Sequence, residues 1–81
     1  MVVTIEFLGN QRLITKTPRI EMPLTREMTV ADALQYVKRQ YPALSLDEAE
    51  VLITVNQQMA LPDRILQAND TVSFLPFIHG G

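Results

Sequence analysis

The stretch Thr71-Val72-Ser73-Phe74-Leu75-Pro76 decides the fold, because its side chains are arranged as in a strand with one buried face. Val72 and Phe74 point to one side of this predicted strand, and the residues beside them point to the other. The glycine pair Gly80-Gly81 follows within five residues. Since glycine has no Cβ, the pair forms a slim and flexible end whose backbone can approach a partner closely. We therefore expect the rest of the chain to be a scaffold that presents this end.

Two extended segments open the chain and are predicted to form a hairpin. Within residues 3–8, one face of the extended chain carries only apolar side chains and the other carries mainly polar ones, which is the pattern of a strand that buries one face. Residues 9–11, Gly-Asn-Gln, supply turn chemistry, because glycine and asparagine readily adopt positive φ. A second alternating run over residues 19–25 follows Pro18 and contains Pro23. Since proline has no backbone N–H to donate, this strand is expected at an edge of the sheet.

A helix is predicted to begin at Thr29. Thr29 and Asp32 have the spacing of a capping box, in which each side chain accepts a hydrogen bond from the backbone N–H of the other residue. Five residues then follow the spacing of one buried helical stripe: Val30, Ala33, Leu34, Val37 and Tyr41. Pro42 ends the helix, since proline disfavours the helical conformation of the residue before it.

The segments after the helix complete a mixed sheet. Residues 51–55 are apolar and β-branched almost throughout, which predicts a strand inside the sheet, and residues 59–61 predict a short strand. The helix supplies the crossover that a parallel pair of strands needs. The predicted fold class is α+β: a β-grasp, or ubiquitin-like, mixed sheet of four to five strands with one main helix packed on one face. The adjacency of its first and last strands at the centre is an inference from the fold and not from periodicity, and residues 1–81 are expected to form a single domain.

Composition limits the classes of function. Seven basic and nine acidic residues are scattered along the 81-residue chain, which disfavours a nucleic-acid surface because phosphate binding requires clustered Lys and Arg. The chain has no cysteine, so disulfides and thiolate metal sites are excluded. Its first residues do not resemble a signal peptide, and no apolar run approaches the roughly 18 residues of a membrane span. We therefore expect no membrane association and a cytoplasmic location.

The sequence offers no set of side chains suited to catalysis. It lacks a Gly-rich phosphate loop and a two-His metal spacing, and its single histidine, His79, is interpreted as an exposed side chain. Leu75, Phe77 and Ile78 cannot all be buried, because consecutive strand residues point in opposite directions, so they are candidates for an exposed docking patch. An extended chain after Pro76 would carry the C-terminal carboxylate roughly 16 Å beyond the sheet. That reach is enough to enter the cleft of a partner.

Residues 69–81 comprise a turn, an apolar strand, a proline and a terminal Gly-Gly, and in this respect the chain resembles the MoaD/ThiS family of ubiquitin-like sulfur carriers. The helix start at residues 29–34, Thr-Val-Ala-Asp-Ala-Leu, and the turn at residues 55–57, Val-Asn-Gln, are similar to that family as well. The resemblance covers essentially the whole chain. It implies a carrier, or a small non-catalytic subunit of a synthase complex, rather than an enzyme.

The resemblance also implies a role for the chain end. An E1-like adenylating enzyme would activate the carboxylate of Gly81 with Mg-ATP, and a sulfur donor protein would convert it to a thiocarboxylate. ATP and Mg²⁺ would thus serve the partner, and this chain would bind no cofactor and no metal. Gly80 would leave the approach unobstructed, and Pro76 would direct the extended tail, residues 76–81, by fixing its own φ. The residues expected to bind the partner are Leu75, Pro76, Phe77, Ile78 and His79.

Within the family, the proline before the tail and the apolar pair Phe74-Leu75 are more similar to the small subunit of molybdopterin synthase. This implies a hetero-oligomer with the large synthase subunit. The chain departs from the family at Asn69, where a glycine is frequent, and at residues 77–79, which replace a second proline and small residues. A carrier for thiamine, cysteine or tRNA thiolation therefore stays open, as do a ubiquitin-like protein modifier and a non-covalent β-grasp binding module.

Overall fold

The computed structural model describes residues 1–44, 46 and 51–76 of the chain. Five strands and two helices lie within these residues. The strands are β1 (Val2–Glu6), β2 (Arg19–Pro23), β3 (Val51–Val55), β4 (Gln58–Met59) and β5 (Thr71–Pro76), and the helices are α1 (Gln11–Thr15) and α2 (Val30–Gln40). Neither of these helices is long and apolar enough to cross a membrane.

The five strands form one mixed sheet in the order β2-β1-β5-β3-β4. The first and last strands, β1 and β5, lie side by side at its centre and run parallel, whereas the other neighbouring strands run antiparallel. This order confirms the predicted β-grasp arrangement. The predicted strand bounds shift by one or two residues: the strand expected at residues 3–8 is β1, and the short strand expected at residues 59–61 is β4.

The connection between β1 and β2 differs from the predicted tight turn. The two strands pair antiparallel as expected, but helix α1 lies between them. Gly9 takes a φ of 53°, in keeping with its turn chemistry. The N–H groups of residues 11–13 then donate to the carbonyls of residues 8–10 at 3.1 to 3.2 Å, which begins a helix instead of a strand. Leu13 and Ile14 are adjacent apolar residues and break the alternation that a strand in this place would need.

The positions of β2 and β3 in the sheet agree with the sequence. Strand β2 lies at an edge, as its prolines predicted. Met22 of β2 is fully buried, while its neighbours Glu21 and Pro23 are exposed. Strand β3 lies between β5 and β4 and is therefore an internal strand, as its apolar and β-branched composition predicted.

The core lies between one face of the sheet and α2. Along the predicted stripe of α2, the buried side chains are Val30, Ala33, Leu34 and Val37. From the sheet, the buried side chains are Val3, Ile5, Met22, Val51, Ile53, Val55, Val72 and Phe74. Directly after β1, the ring of Phe7 packs edge to face against the half-buried ring of Tyr41, with centroids 5.5 Å apart. Burial of this apolar surface is the main contribution that holds α2 against the sheet.

Helix α2 begins with the predicted capping box. Oγ1 of Thr29 accepts a hydrogen bond from the N–H of Asp32 at 3.3 Å, and Oδ2 of Asp32 accepts one from the N–H of Thr29 at 2.8 Å. The hydrogen bond from the Thr29 N–H is the main cause that lowers the pKa of Asp32 from its ordinary value. Partial burial opposes this effect, and the guanidinium of Arg26, 3.5 Å away, adds to it.

The stability of the folded chain is expected to fall in acid partly through Asp32. Because folding lowers the pKa of Asp32, its stabilising contribution is fully present above the ordinary pKa of about 4 and is lost as pH falls through the lower pKa of the folded state. Urea unfolding at neutral pH and at about pH 3 should therefore show a smaller pH-dependent loss in Asp32→Asn than in the natural chain. The control is Asp63→Asn, which changes an exposed carboxylate. Equal losses in the natural chain and in Asp32→Asn would contradict this role of Asp32.

The start of β5 is fixed by a buried aspartate. Asp70, which is only 7% exposed, accepts hydrogen bonds from the side-chain amide of Asn56 at 2.9 Å and from the backbone N–H of Gln67 at 2.8 Å. Asn56 in turn accepts a hydrogen bond from the N–H of Thr71 at 3.0 Å. Asn56 and Gln57, at φ values of 52° and 69°, also form the two-residue turn between β3 and β4. These contacts set the point at which β5 enters the sheet.

Candidate functional site

The candidate site is the C-terminal end of β5, and the sheet holds this strand unequally on its two sides. On one side, β3 pairs with β5 as far as Val51↔Pro76. On the other side, the parallel pairing with β1 stops at Glu6↔Ser73. The last three residues of β5 therefore extend beyond β1, toward the place where α1 begins.

Strand β5 presents two different faces, as its alternation predicted. Val72 and Phe74 are fully buried in the core. Leu75 is 36% exposed and is registered with Leu52 of β3, on the face of the sheet turned away from α2. Leu75 is thus the residue of the predicted docking patch whose exposure the structure describes, and it lies directly before the end of the strand.

The face of the sheet turned away from α2 has a concavity of about 520 Å³ beside Leu75. Hydroxyl and amide side chains form much of its wall, and Leu8 and Leu75 supply apolar surface. Residues of β1, β3, β5, the β3–β4 turn and the segment directly after β1 contribute to it: Glu6, Leu8, Thr54, Asn56, Gln57, Thr71, Ser73 and Leu75. A partner that covers this face would meet a surface with one carboxylate, that of Glu6, among its described lining residues.

A second cavity, of about 530 Å³, lies between α1 and the segment that follows α2. Val51, the residue registered with Pro76, belongs to its wall. Six of the other lining residues are apolar or small, namely Leu8, Gly9, Ile14, Ala43, Leu44 and Leu46, and the remaining two are the polar residues Asn10 and Gln11. Leu13, which is 69% exposed, adds apolar surface on α1. The end of β5 is therefore bordered by a mainly apolar cavity beside α1 and, on the face turned away from α2, by a largely polar concavity that includes Leu8 and Leu75.

Helix α1 contacts the end of β5 through its first residue. Nε2 of Gln11 donates a hydrogen bond to the carbonyl of Phe74 at 2.8 Å, and Oε1 of Gln11 accepts one from the N–H of Leu8 at 2.9 Å. The neighbouring Nε of Arg12 donates to the carbonyl of Phe7 at 2.8 Å. These hydrogen bonds tie α1 to the ends of both central strands.

Sequence reasoning placed Gln11 in a turn and missed its contact with β5. A helix of five residues is too short to show a helical period, so the sequence pattern could not predict α1. The adjacent pair Leu13-Ile14 is the signal that would have argued against a strand directly after Gly9.

The predicted site residues fall into two groups. The structure brings Leu75 and Pro76 to the end of β5. The others lie outside the described residues, so their roles stay predictions: Phe77, Ile78, His79, Gly80 and Gly81. Within the described part of the chain, no group of three or more His, Asp and Glu side chains is placed to hold a metal ion. The described geometry offers a strand end that is anchored by hydrogen bonds and bordered by one mainly apolar and one largely polar cavity, from which a chain end can be presented to another protein.

The sequence matches the model of the ThiS family over residues 5–81. No curated protein matches it significantly. Among solved structures, the chain is similar to SAMP1, small archaeal modifier protein 1, of Haloferax volcanii. The TM-score is 0.83 at 17% identity, and the match covers 100% of both chains.

Two further solved structures are similar over nearly the whole chain. One is a putative molybdopterin converting factor, subunit 1, from Pyrococcus furiosus, with a TM-score of 0.83, 21% identity, and 96% of this chain and 99% of that chain covered. The other comes from a complex of subunits 1 and 2 of molybdopterin-converting factor from Helicobacter pylori, with a TM-score of 0.66, 21% identity and both chains covered completely. At these identities, the likeness to solved structures shows a shared fold.

Proposed function

Because the chain belongs to the ThiS family of small ubiquitin-like sulfur carriers, we propose that Gly81 carries sulfur as a C-terminal thiocarboxylate. The observation that carries this proposal is the family match, which continues through the glycine pair to residue 81. The geometry of β5 supports it, since this strand is internal to the sheet and its start is anchored by Asp70. A chain end that follows such a strand starts from a fixed point.

The proposed chemistry takes place on a partner enzyme in two steps. A free carboxylate is a poor acyl donor, so an E1-like enzyme first activates it: a carboxylate oxygen of Gly81 attacks the α-phosphorus of Mg-ATP, and pyrophosphate leaves. A sulfur nucleophile then attacks the carbonyl carbon of the acyl-adenylate, and a C–S bond forms as the C–O bond to AMP breaks. With sulfide as the nucleophile, the products are the thiocarboxylate, AMP and a proton, and no oxidant or reductant is consumed.

The residues of this chain present the carboxylate, and the activating enzyme supplies ATP and Mg²⁺. Gly80 leaves room for close approach because it has no Cβ, and Pro76 limits the direction of the tail by fixing its own φ. The tail of residues 76–81 reaches roughly 16 Å beyond the sheet when extended. Docking of the enzyme is assigned to the exposed side chain of Leu75, the concavity beside it, and residues 77–79 of the tail.

The acceptor of the sulfur is proposed to be the large subunit of a molybdopterin synthase. Phe74-Leu75 followed by Pro76 resembles the small subunit of that enzyme, and the likeness to subunit 1 from Pyrococcus furiosus and to the Helicobacter pylori complex supports the same choice. The apolar cavity beside α1 and the exposed side chain of Leu75 suit a stable hetero-oligomer, because the buried centre of such interfaces is enriched in apolar area.

Incubation with the activating enzyme, Mg-ATP and sulfide is expected to raise the intact mass of the chain by the difference between a sulfur and an oxygen atom. Mass spectrometry of the whole protein measures this change, and the peptide that ends at Gly81 should contain all of it. Omission of ATP is the control, because without the adenylate the carboxylate does not accept sulfur. An unchanged mass in the complete mixture would contradict the proposal that Gly81 carries sulfur.

The likeness to a small archaeal modifier protein favours a second candidate function, attachment of Gly81 to lysines of other proteins. In that case a lysine amine attacks the same acyl-adenylate, and AMP leaves as an amide forms. Larger conjugates in cell lysate that disappear on deletion of Gly81 would favour this function. Carriers for thiamine, cysteine or tRNA thiolation would differ in the protein that accepts the sulfur. A non-covalent binding module would still capture its partner after the deletion.

A further inference from the structure

The parallel pairing of β1 with β5 stops before the end of β5. Thr4, which is registered with Thr71, donates its N–H to the carbonyl of Asp70 at 2.9 Å. In a parallel pair this hydrogen bond recurs at every second residue. Four residues further along both strands, the corresponding donor is the N–H of Leu8, and the corresponding acceptor is the carbonyl of Phe74. In this fold the chain has already left β1 at that point and turns at Gly9 toward α1.

The side-chain amide of Gln11 stands in the place of that missing hydrogen bond. Its Oε1 accepts from the N–H of Leu8 at 2.9 Å, and its Nε2 donates to the carbonyl of Phe74 at 2.8 Å. A carboxamide offers the same acceptor and donor as a peptide unit. Gln11 therefore links the two backbone groups that would bond directly in an uninterrupted ladder. Gln11 thus extends the pairing of β1 with β5 by one hydrogen-bonding step, although it lies 63 residues from Phe74 in the sequence.

Several hydrogen bonds hold the helix that carries the side chain of Gln11. Gln11 is the first residue of α1, and its N–H donates to the carbonyl of Leu8 at 3.1 Å. Nε of Arg12 donates to the carbonyl of Phe7 at 2.8 Å and ties the helix to the end of β1. At the other end of α1, the buried Thr15 donates its hydroxyl to a backbone carbonyl two residues on, also at 2.8 Å. These contacts hold the backbone from which the side chain of Gln11 extends, and the two hydrogen bonds of its amide hold the amide itself.

We infer that Gln11 is a positioning residue for activation: by holding the carbonyl of Phe74, it fixes the direction in which the chain leaves the sheet after Pro76. This inference rests on the proposed function, in which the activating enzyme must receive the carboxylate at one point. On one side, pairing with β3 holds β5 as far as Pro76. On the side of β1, where the strand pairing has ended, the hydrogen bond from Gln11 holds the carbonyl of Phe74. Small errors of placement at a reacting group reduce rates strongly. Loss of this hydrogen bond should therefore slow adenylation without weakening the docking of the enzyme.

Two substitutions of Gln11 test the donor and the acceptor of its side-chain amide separately. In Gln11→Lys the ammonium group can still donate to the carbonyl of Phe74, whereas in Gln11→Glu the carboxylate can accept from Leu8 but cannot donate to Phe74. The matched controls are Asn10→Lys and Asn10→Asp. They introduce the same charges at the neighbouring exposed residue, whose side chain makes no capping hydrogen bond and which lies outside the surface assigned to docking of the activating enzyme.

Single-turnover adenylation of the full chain by the activating enzyme, at saturating Mg-ATP, is the measurement. Titration of the enzyme gives the maximal rate and the enzyme concentration at half of that rate. Gln11→Glu is expected to lower the maximal rate at least about tenfold, because the strand end loses its hold on one side. The half-saturating concentration should stay within about twofold, and the Gln11→Lys chain and both Asn10 variants should keep rates within about twofold of the natural chain.

Each result decides between explanations. Adenylation of the Gln11→Glu chain at the natural rate would overturn the inference, and so would an equal loss in Asn10→Asp, which would assign the effect to charge. An equal loss in Gln11→Lys would assign it to general damage of α1 and would also overturn the inference. Circular dichroism at the assay temperature verifies folding, and Gln11→Met, which has neither amide group, replaces Gln11→Glu if that chain does not fold. A natural chain that is not adenylated at all would overturn the proposed function itself and, with it, this role of Gln11.

Discussion

Deletion of Gly81 is expected to abolish formation of the thiocarboxylate and to leave the thermal stability of the chain unchanged. The shortened chain ends at Gly80, so its carboxylate lies about 3.3 Å nearer to the sheet. Reaction requires the attacking oxygen within about 3 to 3.5 Å of the phosphorus, and a displacement of this size costs on the order of a hundredfold or more in rate. The buried core of the described chain, by contrast, extends only to Phe74. Intact mass and a melting curve of the same sample measure the two effects.

Gly81→Ala is the matched variant for the deletion, because it keeps the reach of the tail and adds only a Cβ beside the carboxylate. It should retain more activity than the shortened chain, since the carboxylate still arrives at the same distance from the sheet. A shortened chain that still gains mass would place the sulfur on another group. A large fall in its melting temperature would show that the tail contributes to the folded domain.

Phe74→Ala is expected to lower the free energy of unfolding by about 3 to 5 kcal/mol. Phe74 is fully buried in β5, which lies between β1 and β3, so removal of its ring leaves a cavity in the core. A domain of this size is stable by only about 4 to 12 kcal/mol in total. The midpoint of urea unfolding should therefore move to a much lower concentration.

Leu75→Ala is the control for this prediction, because it changes the next residue of the same strand on the opposite face. Since Leu75 is 36% exposed, we expect a loss of about 1 kcal/mol or less. Losses of similar size at Phe74 and Leu75 would contradict the assignment of one buried and one open face to β5. A difference of several kcal/mol in the expected direction would support it.

Much of the fold could be predicted because its signals are local. Strands β1 and β5 bury every second residue, so their alternation is visible in the sequence, and Thr29 with Asp32 marks the start of α2 through a capping box that the structure confirms. Helix α1 could not be predicted in this way. It has little more than one turn, and it is held by a positive φ at Gly9 and by hydrogen bonds from Gln11 and Arg12 to the ends of two strands, none of which is visible as a periodic pattern.

The candidate site was predictable only as far as it depends on its own strand. The exposure of Leu75 follows from alternation along β5. The concavity beside it could not be inferred, because its wall combines Glu6, Thr54 and Ser73 from three strands that meet only in the assembled sheet. For the same reason the contact of Gln11 with Phe74 could not be predicted, since the register of β1 with β5 decides which carbonyl lies within reach of the amide.

Because β5 completes the centre of the sheet, the domain cannot finish folding until the ribosome has made and released its last strand. Before residues 71–76 emerge, β1 with β2 and β3 with β4 have no strand between them, and the parallel neighbour of β1 does not yet exist. Pairing across so many residues is a slow and cooperative event. A chain cut short before residue 71 would therefore remain open to proteases. With this topology, only a polypeptide translated through residue 76 can form the complete sheet, so truncated products are expected to be degraded faster than the full chain.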